Sequence, residues 1–283
     1  MLGHERGCAG TMVIDPHGTS LAVVDRMHGA LQRRGVPAHA TAVAYGSGAL
    51  IDAVRLAAGL YQGGLPVIAA ATTLGAAIER SVDPQARRGA TVLPAPLAQL
   101  FVDYAEIARA SKDGLGTLVR NAMIEGDEFF DGLETLAPHP LRKWPWESVI
   151  GDALRVDRMH HAEERDVLDL GWPLARAIVA MYAVAPQPAL ALGLRGACLI
   201  GRRVAGFDER EHLRVLAMLA LLGFALHDTR IDAEAILAAI PSETRFTLPH
   251  KIGDVEAGLR VPRATLRTAI ARLAHAPGAA EFR

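Results

Sequence analysis

Residues 41–71, TAVAYGSGALIDAVRLAAGLYQGGLPVIAAA, limit the fold more than any other stretch of the chain. Thr41–Tyr45 is an apolar run of strand length that enters Gly46-Ser47-Gly48. Ala49–Tyr61 then repeats apolar residues at helical spacing. Gly63-Gly-Leu-Pro66 stops that helix, and Val67–Ala71 is a second buried-strand candidate. Strand, helix and strand in this order predict a parallel pair, because parallel neighbours need a crossover rather than a tight turn. Upstream, Leu21–Arg33 reads as a helix closed by Gly35-Val-Pro37.

Beyond about residue 105 the strand signals fade. Lys112–Glu125, Trp146–Asp157, Trp172–Val184, Ala189–Val204, Glu209–Leu226, Asp232–Ile240 and Pro262–Ala274 read as helices. Phe246–Val261 is a final segment of unassigned type. Pro138, Pro140 and Pro145 mark one loop, and Pro186 and Pro188 another. The expected class is α/β plus all-α: an α/β part over residues 1–108, then a larger α-helical part over 109–283. The change falls between Pro94 and Lys112. A crevice between two such parts is a common place for a small-molecule site.

Composition excludes several functions. Of the 283 residues, 51% are hydrophobic and 22% charged, so a packed core is expected. The net charge is -1 with arginines dispersed, which gives no basic face for nucleic acid. Leu213–Leu226 is too short to span a membrane and carries Arg214. Cys8 and Cys198 are the only cysteines and read as reduced thiols. A soluble, cytoplasmic protein is expected.

Glycines at Gly46 and Gly48 let a backbone approach a phosphate at a helix N-terminus, with Ser47 between them, although the same turn can simply connect strand to helix. Thr72 and Thr73 follow the second strand, where open α/β sheets bind ligands. They can equally cap the next helix. Asp52, one turn into the helix after Gly48, can reach a ligand hydroxyl or complement the helix dipole. His160-His161 with Glu163 and Glu164 is the densest cluster of metal-ligand types, but a zinc site needs a third protein ligand that the sequence does not offer. Trp144-Pro-Trp146 reads as a hydrophobic lid or a stacking platform. No Gly-x-Ser-x-Gly elbow and no Walker sequence occurs.

Ala44–Pro66 (AYGSGALIDAVRLAAGLYQGGLP), followed by Ala71-Thr-Thr-Leu74 and Ser81-Val82, resembles the dehydroquinate synthases. Gly114–Arg120 (GLGTLVR) is similar to that family's Gly-Leu-x-Glu-x-x-Lys. Arg165–Leu174 (RDVLDLGWPL) is similar to its Arg-x-x-Leu-Asn-x-Gly-His-Thr, and Ala189–Leu194 (ALALGL) to the helix after its His-Gly-Glu. The resemblance runs from about Asp15 to Val261. It implies a truncated α/β nucleotide-binding domain, since the family's opening strands have no counterpart, followed by a helical domain carrying metal and substrate groups. Family enzymes use NAD and a divalent metal, usually zinc, to cyclise a sugar phosphate with loss of phosphate.

The resemblance also shows what is missing. The family's metal-binding Glu falls at Thr117, its first His at Trp172 and its last His at Pro186. Trp and Pro offer no lone pair to zinc, and Thr is at best a neutral ligand. Arg176 stands where the family has a further His. The family's Gly-Gly-Lys reads Asp83-Pro-Gln85, its late Lys-Lys falls near Ser242-Glu243, and a segment that frames the nucleotide reads Pro16–Leu21. Gly46, Gly48, Asp52, Thr72, Thr73 and Arg165 match, while Asp169 replaces Asn and Arg120 replaces Lys. The expectation is a metal pocket plugged by an indole and a pyrrolidine, with zinc absent and NAD retention doubtful. Such a chain is expected to be a non-catalytic structural or regulatory subunit, forming a homo-oligomer or pairing with an active family member. One alternative is a metal-independent enzyme holding a phosphorylated or carboxylated molecule through Arg120, Arg165 and Arg176, with Asp169 as base. A further alternative is an ordinary cyclase with new ligands drawn from His160, His161 and Glu164.

Overall fold

The computed structural model describes residues 10–14, 21–82, 85–88, 91–94, 97–109, 113–162 and 166–278. The chain divides into two compact units, Met1–Ala110 and Ser111–Arg283.

In the first unit the elements are α1 (Leu21–Arg33), β1 (Ala42–Gly46), α2 (Gly48–Gly59), β2 (Val67–Ala71), α3 (Leu74–Val82), β3 (Gln85–Arg88), β4 (Thr91–Pro94), β5 (Leu97–Val102) and α4 (Tyr104–Arg109). Strands β1, β2 and β5 form a parallel sheet in that order, with Tyr45, Ala70 and Phe101 in one rung. The carboxyl ends of all three strands therefore lie at one edge. β3 and β4 form a separate antiparallel pair. Val67, Ala69 and Ala71 alternate into the core, while Val43, Tyr45 and Phe101 are exposed on the other face. α1 packs on α2 through Val23, Val24 and Met27 against Ala53, Leu56 and Ala57. The small alanines let the helices approach closely.

The second unit holds α5 (Leu115–Glu125), α6 (Asp127–Leu136), a 3-10 turn at Leu141–Lys143, α7 (Trp146–Ala162), a 3-10 turn at Asp166–Asp169 and α8 (Trp172–Tyr182). α9 (Pro186–Val204), α10 (Glu209–Leu221), α11 (Ala233–Ala239), β6 (Phe246–Lys251), β7 (Asp254–Leu259) and α12 (Arg263–Leu273) follow. Every residue from Ala189 to Gly201 is buried, so α9 is the axis of this unit. A helix buried on all sides belongs in the centre of a core, and its internal charge, Arg195, donates to Leu226 O and His275 O.

Three expectations need correction. Pro186 and Pro188 do not form a loop. They occupy the first turn of α9, where a missing N–H costs nothing. The helix expected to reach Leu226 stops at Leu221, because Gly223 adopts a left-handed φ of 77°. Phe246–Val261 is an antiparallel hairpin, so the second unit is helical but not all-α. In the other direction, α7 runs past Asp157 to Ala162 and carries His160. No helix among the described residues is long and apolar enough to cross a membrane.

Candidate functional site

In the second unit Thr117, Trp172 and Pro186 lie in the first turns of α5, α8 and α9. Gly114 and Gly171 precede α5 and α8 with left-handed φ of 96° and 79°. Such turns favour glycine because a Cβ would clash. Gly171 also lies directly against Gly193 of α9. A Cβ on Gly193 would overlap the Gly171 carbonyl oxygen, and one on Gly171 would come 2.9 Å from the Leu194 nitrogen. The two glycines bring the start of α8 onto the middle of α9 backbone to backbone.

Thr117 is fully buried on α5. Its amide donates to Oε1 of Gln187 at 3.1 Å, and Gln187 Nε2 donates to Thr117 Oγ1 at 3.0 Å. The carboxamide thus caps an early N–H of α5 and occupies the threonine hydroxyl. Gln187 was not singled out from sequence. Its neighbour Pro186, expected to plug the pocket, is exposed, and Gln187 is the buried residue of the pair. Trp172 is half-buried at the first position of α8. Arg176, one turn on, lies 5.9 Å from its ring centroid and donates from Nη2 to Asp169 Oδ1 at 2.6 Å. The Arg176 side chain is 62% exposed, so this pair stands in solvent.

Arg120 behaves differently from the expected anion ligand. Its side chain is 5% exposed, and it donates to Asn121 Oδ1 from Nε and Nη2 at 3.0 and 2.7 Å. It also donates to Asp157 Oδ1 at 3.1 Å and to Leu168 O at 3.2 Å. Asn121 Nδ2 in turn donates to Asp157 Oδ1 and Ala153 O. The guanidinium is a strut joining α5, α7 and the Asp166–Asp169 turn. Asp169, the base candidate, is engaged by Arg176. Arg165, Glu163, Glu164 and the side chain of His161 lie outside the described residues, as do Asp83, Pro84 and residues 15–20. His160 is buried on α7. Trp144 and Trp146 are buried and stacked at 5.2 Å, and their indole N–H groups donate to His139 O and Leu141 O. They close a loop and present no open platform. Among the described residues, no group of three or more His, Cys, Asp or Glu side chains comes together to hold a metal.

In the first unit, Gly46, Ser47 and Gly48 sit at the carboxyl edge of the sheet. Ser47 precedes α2 without a side-chain cap, which leaves the helix N-terminus to other partners. Thr72 N donates to Gly46 O at 3.1 Å, tying the ends of β1 and β2. Thr73 Oγ1 accepts from Ala76 N at 3.3 Å and caps α3. Asp52 is buried and paired with the equally buried Arg55 at 3.5 Å, so its carboxylate faces a guanidinium rather than an open edge. Two residues at this edge escaped sequence reasoning. Tyr45 OH donates to Asp103 Oδ2 at 3.0 Å across the small Ala70 strand, and Glu106 N donates to Asp103 Oδ1. The amide of Glu106, then the Tyr45 hydroxyl, hold the Asp103 carboxyl below its ordinary range, and the same contact raises the Tyr45 phenol.

No family model matches the chain. It is 24% identical over 266 residues to the 3-dehydroquinate synthase of Solibacter usitatus, covering 83% of this chain and 74% of that one. The 3-dehydroquinate synthase of Methylacidiphilum infernorum is 22% identical over 71% of this chain, which spans only 60% of that relative. The 2-epi-5-epi-valiolone synthase ValA of Streptomyces hygroscopicus, solved with NAD+ and Zn2+ bound, superposes with a TM-score of 0.82 at 21% identity, covering 93% of this chain and 81% of that one. A 2-deoxy-scyllo-inosose synthase solved with carbaglucose-6-phosphate, NAD+ and Co2+ gives 0.77 at 16%, covering 91% and 80%. The fold is therefore the dehydroquinate-synthase-like one: a parallel-sheet unit followed by a mainly helical unit. The chain is thus similar in sequence to 3-dehydroquinate synthases and shares its fold with the two solved synthases.

Proposed function

We propose that this chain does not carry out metal-dependent cyclisation and serves as a non-catalytic partner, either of itself or of an active member of its family. The observation that carries the reading is the Thr117–Gln187 clamp. The position where the family places a metal-binding carboxylate holds a buried hydroxyl already bonded to an amide. Trp172 and Pro186 at the other two positions offer no donor atom. The residues present do not fit a divalent metal. A three-ligand site that lacks even one ligand loses most of its affinity.

The metal-independent alternative loses support at its proposed anion clamp. Arg120 is committed to a buried network, and Arg176 is paired with Asp169. For NAD, the backbone at Gly46–Gly48 still suits a phosphate, whereas Asp52 is turned to Arg55 and does not suit a ribose hydroxyl. Weak or absent NAD binding belongs to the same reading.

The test uses the purified chain loaded with zinc and then dialysed. Metal analysis is expected to find far less than one zinc per chain, sugar phosphate cyclase assays to show no turnover, and NAD to leave the melting temperature unchanged. Stoichiometric zinc with turnover would overturn the reading. Co-purification with an active family member, or a self-associated mass in gel filtration, is expected; a monomer with no such partner would remove the partner half of the proposal.

A further inference from the structure

The hairpin β6–β7 braces the second unit at several points. Gly201 of α9 has no side chain and admits Pro249, whose carbonyl oxygen would lie 2.9 Å from a Cβ there. Thr247 Oγ1 donates to Asp166 O at 2.7 Å, which fixes the first residue of the turn that leads to Asp169 and Gly171. At the hairpin tip, Gly253 N donates to Met123 O at 2.9 Å and Ile252 N to Glu211 Oε2 at 2.6 Å.

His250 lies in this brace with both ring nitrogens engaged. Nδ1 is 2.7 Å from Ala205 O, the residue that ends α9, and Nε2 is 2.9 Å from Glu256 Oε2 on β7. Neither partner carries a hydrogen. A carbonyl and a carboxylate only accept, and a neutral imidazole has one N–H to give. Only the imidazolium satisfies both contacts. The carbonyl end of α9 independently favours a cation. The charged groups on its own strand and on the elements packed against it are Glu256 and Asp254 of β7, Asp166 of the 3-10 turn, Lys251 of β6, and Arg202 and Arg203 in the last turn of α9, where Arg202 pairs with Glu209 at 3.5 Å. Asp166, Asp254, Glu256 and His250 line one surface cavity of about 540 Å³.

We propose that His250 is a proton-operated clip. As imidazolium it ties the end of α9 to β7, and on losing its proton it releases one of the two contacts and loosens the hairpin over the cavity that Asp166, Asp254 and Glu256 line. Because the same hairpin holds Asp166, the proton also bears on the turn that presents Asp169. The bonds to Glu256 and then to Ala205 raise the affinity of His250 for its proton, against a smaller opposing effect of burial. The clip therefore stays closed at the ordinary histidine value and opens above it. Nothing in the clip depends on the metal positions.

Two measurements on the full chain test it. An NMR titration of the His250 ring is expected to give a midpoint above 6.5, the ordinary value. Hydrogen exchange at Ile252 and Gly253, corrected for intrinsic chemistry, is expected to rise across that midpoint by about threefold to tenfold, the size of one net hydrogen bond. Glu256→Gln, an exposed and conservative change, is expected to lower the midpoint. His250→Gln, which donates from one nitrogen only, is expected to hold exchange at the faster level at every pH. A midpoint at or below the ordinary value, or corrected exchange that ignores it, would overturn the clip; if His250→Gln does not fold, Glu256→Gln and the wild-type titration decide alone.

Discussion

Gln187 lets Thr117 be buried without an ion beside it. Both polar groups of the carboxamide are used, one accepting from the Thr117 amide and one donating to its hydroxyl. Gln187→Ala would strand the buried Thr117 N–H and remove the donor to its hydroxyl. A buried N–H left unsatisfied costs about 1–3 kcal/mol, and a loss of that size is expected from urea denaturation. In a double-mutant cycle Gln187→Ala and Thr117→Val should cost less together than the sum of the two, because both remove the same Gln187–hydroxyl bond. Strict additivity of the two changes would contradict the clamp. The motif spacing alone pointed to Thr117, Trp172 and Arg176. It could not point to Gln187, because the motif places a histidine one residue earlier, and the chain turns that earlier residue, Pro186, outward. A helix start sets which of two neighbours faces the core, and sequence fixes such a start only to within a few residues.

Gly193 sets how closely two elements can approach. α8 and α9 meet through Gly171 and Gly193, where an added Cβ has backbone on its path rather than a flexible side chain. Gly193→Ala should therefore force α8 away from α9, displacing Trp172 and Arg176 with it. Overpacking of this kind costs about 1–3 kcal/mol, although alanine is otherwise the better helix former. A thermal melt that leaves the variant as stable as the wild type would show that the contact yields easily. The Gly46 turn and its βαβ unit were legible because apolar runs and glycine turns alternate without ambiguity. The β6–β7 hairpin was not. Pro249 interrupts its first strand, and its pairing shifts register at Phe246–Leu248 and Pro249–Lys251, so the two-residue period is lost. α9 was expected three residues late because its opening prolines resemble a loop.

At the scale of the molecule, two histidines are expected to bound the pH range in which the helical unit is most stable. His212 is fully buried on α10, and burial, then Arg202, Arg195 and Arg272, lower its proton affinity from 6.5 to about 4. The folded unit then binds fewer protons than the unfolded chain, so stability rises with pH between these values and is lost as pH falls through the lower one. A tenfold change in proton affinity corresponds to about 1.4 kcal/mol, and the fall from 6.5 to about 4 implies a loss of order 3 kcal/mol. His250 acts with the opposite sign. Its affinity is raised in the folded state, so its contribution is fully present below the ordinary value and is lost as pH rises through the folded one. Stability of this unit should therefore peak between the two transitions and fall on both sides. The three tryptophans, Trp144, Trp146 and Trp172, all lie in the second unit, so tryptophan fluorescence in urea follows that unit alone. Denaturation midpoints across the pH range are expected to trace a dome. In His212→Leu the acid side of the dome should flatten, whatever the cost of the substitution itself, while the alkaline side stays as in the wild type. An acid side that keeps its slope in the variant would assign the transition to other groups.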